Sequence, residues 1–226
     1  MRNLAGLDQL ERAVKIIGIL RQATHGMVEP ASNQIVARYG RDPFLVLISC
    51  LLSLRTKDTV SLPASLNLFE RARTPQELLK LPLQTIEKII YKTGFYRAKA
   101  RTLHKVSAQL IHDFGGTVPQ TEAELLSLPG VGRKTANLVL GVAFQIPAIC
   151  VDTHVHRISN RLGLVTTTTP EQTEIALKKL LPPDYWTEYN RLLVMWGQNI
   201  CAPLSPWCSR CAIADLCPKV GVTRQR

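Results

Sequence analysis

The chain has 226 residues, and 28 Lys plus Arg stand against 17 Asp plus Glu, a formal net charge of +11. That length allows one large or two small domains with a sizeable core, and the excess of cations points to a polyanionic partner, nucleic acid before membrane. The longest apolar run, Phe44 to Leu54, is interrupted by Ser49 and Ser53 and is too short to span a bilayer.

Near the start, Leu10, Val14, Ile17 and Leu20 are spaced as an amphipathic helix, with Glu11, Arg12 and Lys15 between them. This is not a signal-peptide pattern, so the expectation is a soluble, intracellular protein. Asp42-Pro43, Thr74-Pro75 and Thr169-Pro170 each place an N-cap before a proline at the first helical position. Thr74 with Glu77 and Thr169 with Gln172 add capping boxes. The segment after Asp42 is apolar on nearly every side, which predicts a central buried helix. Further helices are expected around 58–71, 75–80, 83–92, 96–113, 122–127, 133–144, 153–162, 170–181 and 185–199. Gly94, Gly115-Gly116 and Gly163 serve as stops, and Pro182-Pro183 separates the last two helices. Short connections without sustained period-two alternation predict an all-α fold. Lys219 to Arg226 read as a basic, frayed tail.

The most informative stretch runs from Leu128 to His154. Thr121 and Glu124 form a capping box for a short helix that Pro129 and Gly130 stop. Gly132 is expected to allow a tight turn, and a second helix starts at Arg133. Two helices joined by Gly130-Val131-Gly132 direct backbone N–H groups outward at a helix N-terminus, an arrangement that binds phosphate without reading bases. The alternative is a plain helix–helix turn; Arg133, Lys134 and the basic chain favour phosphate. Lys134 falls in the first helical turn, where the dipole, Arg133 and partial burial would all disfavour a charged amine. A neutral amine is a nucleophile able to form a Schiff base. The hairpin alone favours a second phosphate-binding cation over a nucleophile. Asp152 precedes another helix, Thr153 to Leu162, and is expected as its N-cap. One carboxylate oxygen can cap while the other supports a cationic transition state or moves a proton.

Six cysteines are present. Cys50 and Cys150 lie in apolar surroundings and read as small buried hydrophobes. Cys201, Cys208, Cys211 and Cys217 are spaced C-x6-C-x2-C-x5-C, which is metal-ligand usage rather than a secreted disulfide framework. Zinc ribbons pair two C-x2-C knuckles, and only one is present here. A loop with four cysteine ligands suits a cubane iron–sulfur cluster, 4Fe–4S, with zinc as the alternative.

These residues carry a family resemblance. The Leu128–Asn137 hairpin, Val151-Asp152-Thr153-His154 and the four-cysteine loop, in this order, resemble the endonuclease III family of helix-hairpin-helix DNA glycosylases over almost the whole chain. Leu51-Leu52-Ser53, Thr56-Lys57-Asp58 and Thr93-Gly94-Phe95-Tyr96 with Lys99-Ala100 support it. The resemblance implies two all-α domains: a six-helix barrel at 36–146, and a discontinuous domain of 1–35 and 147–226 carrying a 4Fe–4S cluster on the four cysteines. It implies a cleft between them holding Lys134 and Asp152, and a monomer acting on double-stranded DNA with damaged bases or abasic sites. The activity implied is that of a bifunctional glycosylase and AP lyase on oxidised pyrimidines. The target base is flipped out, Lys134 attacks the sugar C1′, and β-elimination cuts the strand. Gly130, Val131, Gly132, Arg133 and His154 would join in DNA binding.

Two positions depart from the family pattern. Arg55 stands where a Gln usually helps fill the hole left by the flipped base, and Phe95 where a Leu usually wedges between bases; both new side chains can do this. Arg55 could equally be a phosphate contact. His156 is expected to be solvated or capping. Two other functions fit the composition: a monofunctional glycosylase in which Asp152 activates water, and a non-catalytic DNA-binding scaffold. Related adenine and mismatch glycosylases generally lack the lysine, so Lys134 favours the lyase.

Overall fold

The computed structural model describes residues 8–226; the first seven residues of the expected 1–35 segment lie outside the described residues. Among the described residues all regular structure is helical. In chain order, α1 is Gln9–Ala23, α2 Ala31–Tyr39, α3 Pro43–Ser53, α4 Asp58–Phe69, α5 Pro75–Lys80 and α6 Leu83–Ile90. Then come α7 Tyr96–Phe114, α8 Glu122–Ser127, α9 Arg133–Val142, α10 Thr153–Arg161, α11 Pro170–Leu180 and α12 Trp186–Asn199. Short 3₁₀ turns occur at Pro183–Tyr185, Cys208–Arg210 and Ala214–Leu216.

The caps are local chemistry. Asp42 Oδ1 accepts from Phe44 N at 2.9 Å and Leu45 N at 3.1 Å, and Pro43 fills the first helical position. Thr74, Thr121 and Thr169 each accept from the N–H three residues on. The reciprocal arm is shifted: Glu77 reaches Arg73 N and Gln172 reaches Thr168 N, one residue before the cap. α2 was not expected. Pro30 occupies its cap position and no side chain bonds there, so the usual polar start signal is missing.

Two compact units result. One is Pro30–Ile146, which holds α2 whole and runs through α9. Its centre is α3, in which every residue from Phe44 to Leu52 is buried. α3 packs against α2, α4, α7 and α9. The other unit joins the described residues through Glu29 to Pro147–Arg226. Its core brings Ile16, Ile17 and Leu20 of α1 together with Val155 and Ile158 of α10 and Tyr189, Leu192, Leu193 and Trp196 of α12. The buried Tyr189 hydroxyl meets Ser159 Oγ at 2.9 Å, and Arg21 makes a two-pronged pair with Glu188 at 2.7 and 2.6 Å. Among the described residues no helix is long and apolar enough to cross a membrane.

The end of the chain is not frayed. Arg226 N donates to Pro206 O at 2.8 Å, and Ser209 N donates to Arg226 O at 3.0 Å. The Arg226 guanidinium carbon lies 4.3 Å from the Trp207 ring centroid, and that of Arg210 lies 4.7 Å from it. A cation over an indole face is favourable. A charge run in sequence does not show that such a face awaits it.

Candidate functional site

In the Pro30–Ile146 unit the hairpin between α8 and α9 is set by one glycine. Gly130 has φ +77°, and a Cβ there would come within 2.9 Å of Thr102 Cγ2 and 3.8 Å of Leu51 Cδ2. Gly132, expected to make the tight turn, instead has extended φ −103° and ψ 175° as the N-cap of α9, with open space around it. Glycine at 132 therefore leaves an uncluttered helix start, while glycine at 130 makes the bend. Val131 is buried and its N–H closes the turn on Leu128 O at 3.1 Å. Gly132, Arg133 and Lys134 are exposed at the positive end of α9. The partial burial expected for Lys134 is absent. Beneath it, Cys50 of α3 is buried, and its thiol is pushed up to about 12 by desolvation, with Lys134 acting weakly the other way. Cys50 is an inert core residue, and Cys150 is likewise buried.

Arg55 and Phe95 lie on separate loops of this unit, after α3 and before α7, yet they meet. The Arg55 guanidinium carbon is 5.8 Å from the Phe95 ring centroid. Both are non-glycine residues in the left-handed region, at φ +53° and +58°, each costing on the order of 1 kcal/mol. Both are exposed, Phe95 by 67%. Behind them lies Lys99 of α7, 8% exposed. Its Nζ donates to Leu52 O at 2.6 Å and to Thr56 Oγ1 at 2.8 Å. Burial lowers the Lys99 pKa to about 8.

In the other unit, Asp152 is the N-cap of α10: its Oδ1 accepts from His154 N and Val155 N, both at 2.9 Å. Both bonds use one oxygen, as a dual role requires. His154 Nδ1 lies 3.1 Å from Arg157 Nη2. His156 is half-buried and does not cap a helix: its ring Nδ1 meets Thr173 Oγ1 at 2.7 Å, tying α10 to α11.

Cys201, Cys208, Cys211 and Cys217 line one cavity with Trp196, Ile158 and Arg161. Among the described residues no group of three or more His, Cys, Asp or Glu side chains is placed to hold a metal ion. The Cys211 and Cys217 thiols are raised first by desolvation, an effect partly countered by the N–H groups of Ile213 and Lys219. The buried Trp196 Nε1 makes no hydrogen bond of ordinary geometry, but its N–H is close enough to the Cys211 sulfur to act against the upward shift of that thiol. Arg161 Nη1 lies 3.3 Å from Cys201 Sγ and donates to Ala202 O at 2.7 Å. Arg157 Nη2 donates to Cys201 O at 2.8 Å. This donor-rich, thiol-lined pocket fits an anionic sulfur centre.

Arg157 and Arg161 were not singled out from the sequence, and Lys99 was named only among the stretches that carry the resemblance, with no role assigned. The i, i+4 spacing of the two arginines places them on one face of α10 and was the available signal. Nothing in the sequence marked Lys99 as buried.

Comparison with known proteins places these features in context. The model of the HhH-GPD superfamily, described as a base excision DNA repair protein, matches residues 48–183. Endonuclease III of Thermotoga maritima is 51% identical over 196 residues, covering 84% of this chain and 92% of that protein. A solved non-covalent endonuclease III–DNA complex matches with a TM-score of 0.83 at 34% identity, over 94% of this chain and 96% of that one. A trapped endonuclease III–DNA covalent intermediate matches with a TM-score of 0.81, also at 34% identity, over 94% and 97%.

Lys99 makes stability pH-dependent in a defined window. Between its folded pKa of about 8 and the ordinary 10.5, the unfolded chain holds a proton that the folded protein has released, so stability rises with pH there. Denaturant titrations of parent and Lys99→Met at pH 7.5 and 10 should show the parent gaining about 1–3 kcal/mol relative to the variant. Parallel pH responses would contradict this.

Proposed function

Because the chain belongs to the endonuclease III family of the HhH-GPD base excision repair superfamily, we propose that Lys134 is the amine nucleophile of a bifunctional DNA glycosylase and AP lyase. The observation that carries this is Lys134 itself, exposed in the first turn of α9 immediately after the hairpin. The substrate is duplex DNA with an oxidised pyrimidine or an abasic site, gripped through a phosphate at the α9 N-terminus beside Arg133. His154 adds a contact from α10.

A base inside the stack is out of reach, so it is flipped out. Lys134 Nζ bonds to the sugar C1′ as the bond from C1′ to the base breaks and the base leaves with a proton. Ring opening gives a protonated Schiff base. Loss of the C2′ proton then expels the 3′ phosphate oxygen, which cuts the strand, and water hydrolyses the imine to regenerate the amine. Asp152 supports the cationic stages electrostatically and in proton transfer, with one oxygen left committed to capping. Arg55 and Phe95 fill and wedge the gap left by the flipped base.

Cys201, Cys208, Cys211 and Cys217 hold a 4Fe–4S cluster in this reading. Bound there, it would supply a covalent cross-link for the loop, with Arg161 placing an N–H donor beside the Cys201 sulfur and Trp196 lining the same pocket. The cytoplasm, with the nucleoid, is the compartment that suits an enzyme of this charge and substrate.

Borohydride reduction on duplexes carrying an oxidised pyrimidine should trap a covalent complex with the parent and none with Lys134→Ala, while DNA affinity falls less than about tenfold. Trapping that survives in Lys134→Ala would remove the nucleophile assignment. Base release by the parent without any trapping would point to Asp152-activated water. Asp152→Asn keeps an acceptor for the α10 cap, so the melting temperature should hold within a few degrees while turnover drops about 10²-fold or more. Equal losses of both would leave only a capping role. Purified protein should be yellow-brown, absorbing near ~400 nm, with about four iron per chain. A colourless protein with stoichiometric zinc would refute the cluster.

A further inference from the structure

The two loops that carry Arg55 and Phe95 are cross-tied by polar contacts that the proposed chemistry does not use. Lys99 projects from the first turn of α7 into the protein rather than into solvent. Its ammonium meets the carbonyl of Leu52, in the last turn of α3, where the helix dipole favours a cation. Its second acceptor is Thr56 Oγ1, just beyond Arg55. The same oxygen accepts from Gly94 N at 3.2 Å, immediately before Phe95. The loops also touch closely at that point: a Cβ on Gly94 would lie 3.4 Å from Arg55 O and 3.7 Å from Thr56 Oγ1.

We infer that Lys99 is a positioning residue for DNA recognition: through Thr56 its buried ammonium locks the loop after α3 to the turn before α7, presenting Arg55 and Phe95 to duplex DNA as one fixed, stacked pair.

Three features support this. Lys99 is too buried to touch a phosphate, so its charge acts on the protein. Arg55 and Phe95 both adopt left-handed backbone that side chains rarely take, and such strain persists only where the surroundings over-determine it. Phe95 is a large exposed aromatic stacked beside a guanidinium, which suits insertion into a helix rather than packing in the free protein. Ordering both side chains before contact removes an entropic cost from binding. The clamp therefore acts on duplex affinity and opposite-base preference, not on the chemical step.

The inference rests on the reading of Arg55 and Phe95 as DNA-contacting residues, and the experiment separates the two. Affinity is measured by fluorescence anisotropy on duplexes containing a tetrahydrofuran abasic analogue opposite each of the four bases. Cleavage of a single-stranded abasic oligonucleotide, which has no opposite strand to read, serves as the control. Lys99→Met and Thr56→Val should each weaken duplex binding about tenfold, the scale of a lost charged hydrogen bond. Both should flatten the preference among opposite bases and leave single-strand cleavage within about twofold of parent. Thr56→Ser, which keeps the hydroxyl, should behave as parent. Thr56→Val carries the test alone if Lys99→Met fails to fold. Adding Lys99→Met to Arg55→Ala/Phe95→Ala should change nothing more, because the pair it positions is gone. Parent-like duplex binding and preference in Lys99→Met and Thr56→Val, with Arg55→Ala/Phe95→Ala impaired, would overturn the clamp alone. Equal losses on duplex and single strand would reduce Lys99 to a stabilising role. Unchanged duplex binding in Arg55→Ala/Phe95→Ala would overturn the reading of that pair, and the inference with it.

Discussion

The complete burial of α3 is the constraint on which the Pro30–Ile146 unit depends. A helix apolar on every side must be enclosed by other helices, and α2, α4, α7 and α9 enclose it. Its start is fixed by the Asp42 cap. Its end delivers the Leu52 carbonyl to Lys99 and leads directly into Arg55. Leu51 reaches the underside of Gly130, so the hairpin is seated on the same helix. Cys50 of the same helix is buried within reach of the Lys134 charge. One apolar segment thus sets where the hairpin, its lysine and the Arg55 loop stand relative to each other.

In the other unit, arginine does comparable work by different means. α10 begins at Asp152 and sends Arg157 and Arg161 into the loop that starts at Cys201. Desolvation works against the charge on Arg157 and is offset in part by Cys201 and then by Asp152. The helix capped by the catalytic candidate is therefore the helix that braces the cysteine loop. Loss of that loop would be felt at Asp152 through only a few turns of helix. A metal centre proposed for that loop would thus have a mechanical connection to Asp152 through α10.

Much of this was legible in the sequence because caps and turns are local. Asp42, Thr74, Thr121, Asp152 and Thr169 all bond as their spacing required. The hairpin and the cysteine loop were legible as motifs. What escaped was decided by distant partners. α2 starts at Pro30 without a polar cap. Gly130 rather than Gly132 makes the bend, because only position 130 combines positive φ with close neighbours. His156 looked exposed until α11 supplied Thr173. Lys99 was one basic residue in a basic helix, and its burial depends on a carbonyl 47 positions earlier.

The backbone at Arg55 and Phe95 has a consequence for redesign. Both positions hold φ between +50° and +60°, so a replacement must satisfy the main chain before it can meet any nucleobase. Valine, isoleucine and threonine are disfavoured by their branched Cβ, and proline by its ring. Asparagine, aspartate and glycine fit the backbone most easily, but glycine gives up rigidity. The accessible repertoire at the proposed DNA-facing tip is therefore narrower than chemistry alone would allow. Libraries that randomise these two codons without that filter will mostly sample altered loops rather than altered selectivity.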